Sequence, residues 1–272
     1  MWPLQSLALT VQLFGEVRPM IRGVLLDIGG VIAVGRDLLP GALEALDQLR
    51  GTGLPVRLIT NTTRQPRQDL QAQLEGWRLG TDPADLFTPA TAARAYVLTR
   101  GLQPCLLVHP RLEPEFDGLP ADGPVAVIVG DAGDGFTYGA LNHAFRRLED
   151  GADFLALARN RMFMEPDGPS LDAGPFVAAL EYACGRPARL LGKPAPAFFL
   201  EALQSLGLPP AQVAMIGDDA ESDIAGAMAL GCRGILVRTG KYRRGDETRI
   251  TPAPDAVVTD LAEAVSWILA SV

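Results

Sequence analysis

A carboxylate directly after an apolar run is the residue of this sequence best placed to do chemistry. Residues 23–26 are glycine and aliphatic residues, they end at Asp27, and Gly29 and Gly30 follow. If the run is a buried strand, Asp27 lies at its carboxyl end, where open α/β sheets bind ligands. A carboxylate in that position can serve as a nucleophile and as a metal ligand.

Three further polar segments follow predicted strands or begin predicted helices. They are Thr60-Asn61, Gly192-Lys193-Pro194, and Gly217-Asp218-Asp219 with Asp223 further on. Each has an ordinary structural explanation, because Asp is a favoured helix N-cap, Thr and Asn are common in turns, and a lysine is usually solvated. Their order and their shared placement at strand ends favour a common site.

The elements that must position these residues alternate between strand and helix. Apolar runs predict strands at 23–26, 55–59, 214–216, 234–237 and 257–258, and helical spacing predicts helices at 40–50, 64–77, 197–206, 222–230 and 261–269. This order is typical of a parallel sheet with right-handed crossovers. We therefore predict an α/β fold with a Rossmann-like core.

The middle of the chain reads as an inserted second domain. It has strand candidates at 104–108, 125–129 and 154–158, and helix candidates at 90–99, 138–148 and 174–184. Dense proline and glycine predict loops around 110–124 and 165–175. The expected division is a core of residues 20–80 and 189–272 and an inserted domain of residues 81–188. Residues 1–19 form an N-terminal extension of unclear role, with Met20 as the preferred start.

Composition limits the classes of partner. A net charge of -8 argues against nucleic acid, because phosphate-backbone binding needs a basic face. We expect no membrane partner, since no apolar run is long enough to span a bilayer. The cysteines, Cys105, Cys184 and Cys232, are odd in number and far apart, which favours a reducing cytoplasmic location.

Together these motifs resemble the haloacid dehalogenase-like phosphatases, subclass IIA, over about residues 20–270. The resemblance rests on segments 25–31, 131–138, 179–185, 192–194, 216–219 and 237–242. It implies a Rossmann-like core with an α/β C2-type cap inserted at 81–188. It also implies a Mg²⁺-dependent phosphatase acting on a small phosphorylated substrate or a phosphorylated side chain, and a possible homodimer formed through the cap.

The resemblance assigns the central roles. Asp27 would attack phosphorus and form an aspartyl-phosphate. Asp27, Asp218 and the backbone carbonyl of Gly29 would bind Mg²⁺, which prefers oxygen ligands. Lys193 would balance the negative charge of Asp27 and of the phosphate.

The supporting roles follow in the same way. The Thr60 hydroxyl and the amides near Asn61 would hold phosphate oxygens. Asp223 would orient Lys193 or a metal-bound water. Asp219 would bind the metal through water or cap the following turn, and the sequence leaves both alternatives open.

Gly29 departs from the pattern of the resemblance. Most phosphatases of this kind carry a second acid there, and general acid–base help is worth about 10²–10⁴-fold. One hypothesis is a phosphatase limited to easily displaced leaving groups, such as those of phosphoramidates (phospholysine, phosphohistidine) and pyrophosphate. A second is a weakly active phosphate-binding pseudoenzyme or interaction protein. A third is a dehalogenase, against which the acidic metal site and the cap position argue.

Two basic segments remain. Arg159-Asn160-Arg161 follows a predicted strand of the inserted domain and could face the active site or form a solvated loop. The run 241–244 is expected in an exposed loop, with no role assigned. We interpret His109 and His143 as surface or packing residues.

Overall fold

The computed structural model describes residues 19–165 and 168–271. The extension predicted for residues 1–19 therefore lies, apart from Pro19, outside the described residues. The strands are Gly23–Asp27 (β1), Ala33–Val34 (β2), Asp37–Leu38 (β3), Val56–Ile59 (β4), Leu86–Phe87 (β5), Gln103–Leu107 (β6), Val125–Val129 (β7), Asp153–Ala156 (β8), Met162–Glu165 (β9), Gly168–Leu171 (β10), Arg189–Leu190 (β11), Val213–Gly217 (β12), Arg233–Val237 (β13) and Ala256–Val258 (β14).

The helices interleave with these strands. They are Ala42–Gly51 (α1), Arg67–Gly76 (α2), Pro89–Arg100 (α3), Tyr138–Glu149 (α4), Ala173–Cys184 (α5), Pro196–Leu206 (α6), Gly226–Met228 (α7) and Leu261–Leu269 (α8). None of the described helices has the length and apolar character required to cross a membrane.

The central sheet carries the carboxylate that the sequence singled out. Its order is β14-β13-β12-β1-β4-β5, and every pairing within it is parallel. The chain leaves β1 for β4 on one side and later returns to β12 on the other, so the strand order reverses at β1. Ligands bind at the carboxyl ends of strands at such a switch point. The predicted α/β fold is confirmed.

Helices cover both faces of this sheet. On one face α1 and α8 bury Leu46 and Val265 against Leu26 of β1 and Ile216 of β12. On the other face α6 buries Phe198 and its neighbour against alternate residues of the same strands. Such continuous apolar strands are typical of parallel sheets that are buried on both sides. The sheet is therefore a rigid base for the residues at its carboxyl edge.

A second parallel sheet forms in the middle of the chain, in the order β11-β8-β7-β6. It too is covered on both faces, by α3 on one side and by α4 and α5 on the other. Strand pairing moves two elements across the predicted domain limits. β5 joins the central sheet although it follows residue 80, and β11 joins the second sheet although it follows residue 188.

Three local predictions differ in part from the structure. The expected loop at 165–175 contains β10, which pairs with β9 in an antiparallel hairpin, and the start of α5. The loop at 110–124 begins with a 3₁₀ helix, Pro110–Phe116. The helix expected at 222–230 is a π-helical turn, Ala220–Ala225, followed by the short α7. Short two-stranded ribbons and π turns depend on tertiary contacts, so periodicity gives little warning of them.

Candidate active site

Asp27 lies at the switch point of the central sheet. It is the last residue of β1, it is 6% exposed, and its Oδ1 accepts a hydrogen bond of 2.8 Å from the Ile28 amide. The β1 backbone pairs with β12 and β4 on either side, so strand register fixes the position of Asp27. The carboxylate is held at the point where the other polar strand ends converge.

Lys193 joins two carboxylates. Its Nζ lies 2.8 Å from Asp27 Oδ1 and 2.7 Å from Asp223 Oδ1, and the residue is 2% exposed. Asn61 fixes the lysine backbone, because its Nδ2 donates to Lys193 O at 2.9 Å and its Oδ1 accepts from Lys193 N at 2.8 Å. The Asn61 side chain thus positions Lys193 rather than standing free for a ligand.

Asp218 completes a cluster of three buried acids. Its Oδ2 accepts a hydrogen bond of 2.6 Å from the Lys241 amide, while its buried Oδ1 has no hydrogen-bond partner among the described residues. Asp27, Asp218 and Asp223 each offer an oxygen, and the three oxygens lie within 4.8 Å of one another. Hard oxygen ligands in this arrangement suit a cation such as Mg²⁺.

The charges of the cluster do not balance within the protein. The three carboxylates share one directly paired ammonium, that of Lys193, while the charge of Lys241 acts on them without an ion pair, so negative charge stays in excess when all three acids are ionised. Burial and the neighbouring Asp27 and Asp223 raise the pKa of Asp218 well above its usual range. Burial also raises the pKa of Asp223, to about 7, although Lys193 opposes the rise. A bound divalent cation would reduce the excess.

The ammonium stays charged in these surroundings. Burial lowers the pKa of Lys193, but the carboxylates of Asp223 and Asp27 outweigh that effect, so the pKa is raised overall. A buried charge is tolerated only when it is paired and hydrogen-bonded. Lys193 is therefore a fixed positive charge beside Asp27 at every physiological pH.

Two glycines allow the backbone to approach Asp218. Gly30 (φ 80°) and Gly240 (φ 58°) have left-handed backbones, and a Cβ on either would lie 1.9 or 2.0 Å from Asp218 Oδ2. Thr239 ties the two turns together, since its hydroxyl donates to Gly30 O at 2.5 Å. Gly29 differs from both, because it is exposed and a Cβ there would meet nothing within 4 Å.

The remaining predicted site residues, Thr60 and Asp219, each form hydrogen bonds to backbone amides close by in the chain. Thr60 is buried at the end of β4, and its Oγ1 accepts from the Thr62 amide at 3.2 Å. Asp219 caps the π-helical turn, with Oδ1 accepting from the amides of Glu221 and Ser222 at 3.1 and 2.9 Å. Of the two roles that the sequence left open for Asp219, this geometry favours the cap.

A cleft of about 430 Å³ opens beside the cluster. Its wall includes Lys193 and Asp218 and also residues 159–162, so the segment around Arg159 borders the cleft while its arginines stay exposed to solvent. Lys241 lines the same cleft, although the sequence assigned no role to the 241–244 run. Composition already set Lys241 apart, because Lys193 and Lys241 are the only lysines among the 24 lysine and arginine residues of the sequence.

One ion pair connects the loop after β4 with the second sheet. Arg64 pairs with the buried Asp131, whose backbone amide donates a 3.1 Å hydrogen bond to the Thr63 hydroxyl oxygen. The Arg64 guanidinium also lies over the Phe163 ring of β9, 4.2 Å from its centre. The sequence singled out 131–133 only as part of a resemblance and did not predict this contact.

Comparisons with known proteins agree with this geometry. A family model described as haloacid dehalogenase-like hydrolase matches residues 24–118, and a related HAD-hydrolase-like model matches residues 190–264. The chain is 44% identical to haloacid dehalogenase-like hydrolase domain-containing protein 2 of Bos taurus, over 93% of this chain and 97% of that protein. It is 41% identical to phospholysine phosphohistidine inorganic pyrophosphate phosphatase of Homo sapiens, over 92% and 94%. The 4-nitrophenylphosphatase structure from Thermotoga maritima superposes with a TM-score of 0.82 at 28% identity, covering 90% and 97%.

Proposed function

Because the chain belongs to the haloacid dehalogenase-like hydrolases and is a phosphatase of that family, we propose that it hydrolyses phosphate compounds through an aspartyl-phosphate on Asp27, with Mg²⁺ as cofactor. The observation that carries the proposal is the buried acid cluster at the switch point. It combines the strand-end carboxylate of Asp27, one fixed ammonium and a carboxylate oxygen without a hydrogen-bond partner in one place.

The chain's own residues fit a magnesium ion. Asp27 and Asp218 would hold it, together with the backbone carbonyl of Gly29, and a cation would give the unpartnered Asp218 Oδ1 a partner. When bound, Mg²⁺ reduces the repulsion between an anionic phosphate and an attacking carboxylate. Asp223 lies within the same cluster but is already paired with Lys193, so we assign it a positioning role.

The proposed reaction has two steps. A carboxylate oxygen of Asp27 forms a bond to phosphorus as the bond to the leaving group breaks. Water then attacks the phosphorus as the bond to the Asp27 oxygen breaks, which releases orthophosphate and regenerates the Asp27 carboxylate. Lys193 offsets the charge that gathers on the phosphoryl oxygens, while Asn61 and Asp223 hold the ammonium in place. Thr60 lies at the neighbouring strand end and would contact a phosphate oxygen.

The absence of a side chain at Gly29 narrows the substrate class. No acid stands two residues after Asp27 to protonate a basic alkoxide, so leaving groups that need no such help are favoured. Phosphoramidates and pyrophosphate meet that condition, and a similar human protein is named for phospholysine, phosphohistidine and pyrophosphate. The competing proposal is a weakly active phosphate-binding protein, favoured by the same glycine.

A phosphate-release screen tests the proposal. Purified protein should release orthophosphate from phospholysine, pyrophosphate or 4-nitrophenyl phosphate with Mg²⁺ and lose that activity in excess chelator. Asp27→Asn keeps the shape of the side chain and should lower turnover by roughly 10⁴-fold or more, as loss of a nucleophile does. A wild-type protein that binds phosphate with Mg²⁺ but releases none would instead favour the pseudoenzyme.

A further inference from the structure

Arg64 connects three parts of the molecule at one point. It follows the loop of residues 60–63, its guanidinium pairs with Asp131, and the same guanidinium lies over the Phe163 ring, 4.2 Å from the ring centre. Asp131 comes directly after the end of the second-sheet strand β7, and Phe163 belongs to the separate β9–β10 hairpin. Neither partner of the guanidinium therefore belongs to the central sheet that carries Arg64.

The loop before Arg64 is part of the candidate site. Asn61 holds the Lys193 backbone through two hydrogen bonds of 2.9 and 2.8 Å. Thr63, in the same loop, accepts a hydrogen bond of 3.1 Å from the backbone amide of Asp131. The second sheet is thus attached to the loop that positions the Lys193 ammonium.

Two glycines allow the second sheet to pack closely against this loop. A Cβ on Gly130, which follows β7, would lie 2.9 Å from Leu157 Cδ1 and 3.4 Å from Thr63 Cβ. A Cβ on Gly192 would lie 2.5 Å from Leu157 O and 2.6 Å from Asn61 Oδ1. Side chains at either glycine would push the two parts of the molecule apart, so the contact depends on these close approaches.

The hairpin that contacts Arg64 also borders the cleft. Met162 of β9 lines the cleft wall together with Lys193 and Asp218. Successive residues of a strand point to opposite sides, so Met162 lies at the cleft while Phe163 packs on Arg64. An arginine can use its charge for a carboxylate and its plane for an aromatic ring. The Arg64 contacts therefore hold one wall of the cleft in place.

Few covalent connections join the two sheets. The chain passes from the central sheet to the second sheet between β5 and α3, and it returns between β11 and α6. Units joined in this way move relative to each other unless their interface is large and apolar. Non-covalent contacts such as those of Arg64 therefore decide how the second sheet lies over the site.

We propose that Arg64 is a positioning residue that keeps the second sheet and the β9–β10 hairpin closed over the loop of residues 60–63, and that substrate binds only in this closed arrangement. The inference rests on the proposed phosphatase activity and adds control of substrate affinity by a residue outside the acid cluster. Opening lowers the apparent affinity in proportion to the closed fraction. Saturating substrate draws the open molecules back to the closed arrangement, so kcat is kept.

The size of the effect follows from the two contacts. Loss of the ion pair and of the ring contact together lowers the closing equilibrium by about 100-fold. A closed-to-open ratio of about 10 in the wild type then becomes about 0.1 in Arg64→Ala. The closed fraction falls about 10-fold, and the open fraction rises about 10-fold.

Steady-state kinetics with 4-nitrophenyl phosphate and Mg²⁺ test the positioning role. Arg64→Ala should raise KM by about 10-fold with kcat nearly unchanged. Asp131→Asn keeps the acceptor for the Gly133 amide and removes the charge, so its KM should rise less. The double variant should match Arg64→Ala, because the same ion pair is lost only once. Arg64→Lys keeps the ion pair and should recover most of the affinity.

Arg111→Ala is the matched control. Arg111, in the 3₁₀ helix after β6, pairs with Asp69 of α2 at 2.9 Å. This ion pair also joins the two parts of the molecule, but it engages α2 rather than the loop of residues 60–63. Its loss should leave KM at the wild-type value.

Hydrogen exchange measures the closed arrangement without any turnover. The Asp131 amide donates to the Thr63 hydroxyl across the contact, so its exchange rate follows the open fraction. It should exchange about 10-fold faster in Arg64→Ala and at the wild-type rate in Arg111→Ala. The Gly130 amide donates to Leu107 O at 3.0 Å within the second sheet and should keep its rate in both variants.

The outcomes separate the positioning role from the phosphatase activity. A wild-type KM or a wild-type Asp131 exchange rate in Arg64→Ala would refute the positioning role while the activity stands. Equal KM increases in the Arg64 and Arg111 variants would refute it as well, and a lower Tm with unchanged KM would show a merely structural contact. If the wild-type protein releases no phosphate, the proposed function fails, and the exchange rates still decide whether Arg64 holds the two parts together.

Discussion

Three carboxylates and one ammonium explain the character of the site at the scale of single residues. Lys193 pairs with Asp27 and Asp223, and Asp218 is left with a buried oxygen that has no hydrogen-bond partner among the described residues. A buried polar atom without a partner costs about 1–3 kcal/mol, so such an arrangement persists only where it serves a ligand or a reaction. The proposed Mg²⁺ would supply the missing partner of this oxygen.

At Gly29 the structure leaves room for an acid. The backbone has no left-handed strain, and a Cβ would meet nothing within 4 Å. We expect Gly29→Asp to raise kcat for an alkyl phosphate such as glycerol phosphate by about 10²-fold, because a general acid could then protonate the alkoxide. Gly29→Ala is the control that adds a Cβ without an acid, and its kcat should not rise. Equal rates in the two variants would mean that another step limits turnover.

At the scale of elements, strand ends supply the reactive groups and tight turns bring them together. β1 ends in Asp27, β12 ends directly before Asp218, and the turn after β13 places the Lys241 amide on Asp218. The turns work because Gly30 and Gly240 take left-handed conformations and have no side chain to strike the carboxylate.

Two glycines with similar backbones permit a matched test of the second turn. Gly240→Ala would place a Cβ 2.0 Å from Asp218 Oδ2, whereas Gly245→Ala would place one in open space, and both positions have positive φ. Both variants should lose about 1 kcal/mol of stability from backbone strain. Gly240→Ala should lose more than Gly245→Ala, because its Cβ would also lie 2.4 Å from Gly30 Cα. Only Gly240→Ala should lower Mg²⁺ affinity, by 10-fold or more, when titrated calorimetrically. Equal Mg²⁺ affinities would place the ion away from Asp218.

At the scale of the whole molecule, the uncompensated acids link stability to metal and pH. The pKa values of Asp218 and Asp223 are raised in the folded protein, so between about pH 4 and pH 7 the folded state binds more protons than the unfolded state. The free energy of unfolding of the metal-free protein should therefore fall as pH rises through that window. Denaturant titrations in chelator across this range measure the slope.

Bound Mg²⁺ and the substitution Asp218→Asn should each reduce the repulsion among the buried acids and so stabilise the folded protein. Saturating Mg²⁺, at about 100 times its Kd, stabilises the folded state by roughly 2.7 kcal/mol and should raise Tm by about 5 °C at pH 8. Asp218→Asn keeps the acceptor for the Lys241 amide but removes the charge. It should raise the Tm of the metal-free protein and abolish the Mg²⁺ shift. A full Mg²⁺ shift in this variant would contradict the assignment of Asp218 as a ligand.

The sequence by itself determined the α/β fold and most of the site. Periodicity located α8 and β7 at their observed limits, and the polar residues that follow strands identified Asp27, Lys193, Asp218 and Asp223 as one group. This succeeds because parallel strands have one pattern, buried on both faces, and their carboxyl ends must meet at one edge.

Only the tertiary structure decided which groups touch. The backbone amide of Lys241, in the turn after β13, donates to Asp218. The Asn61 side chain bonds the backbone of Lys193, which lies 132 residues later in the chain. β11 pairs with β8 of the second sheet rather than with the central sheet. Contacts between distant segments depend on register and packing, which local patterns do not encode. The sequence therefore fixes the chemistry available at the strand ends, and packing fixes which charges are paired and which remain for a ligand.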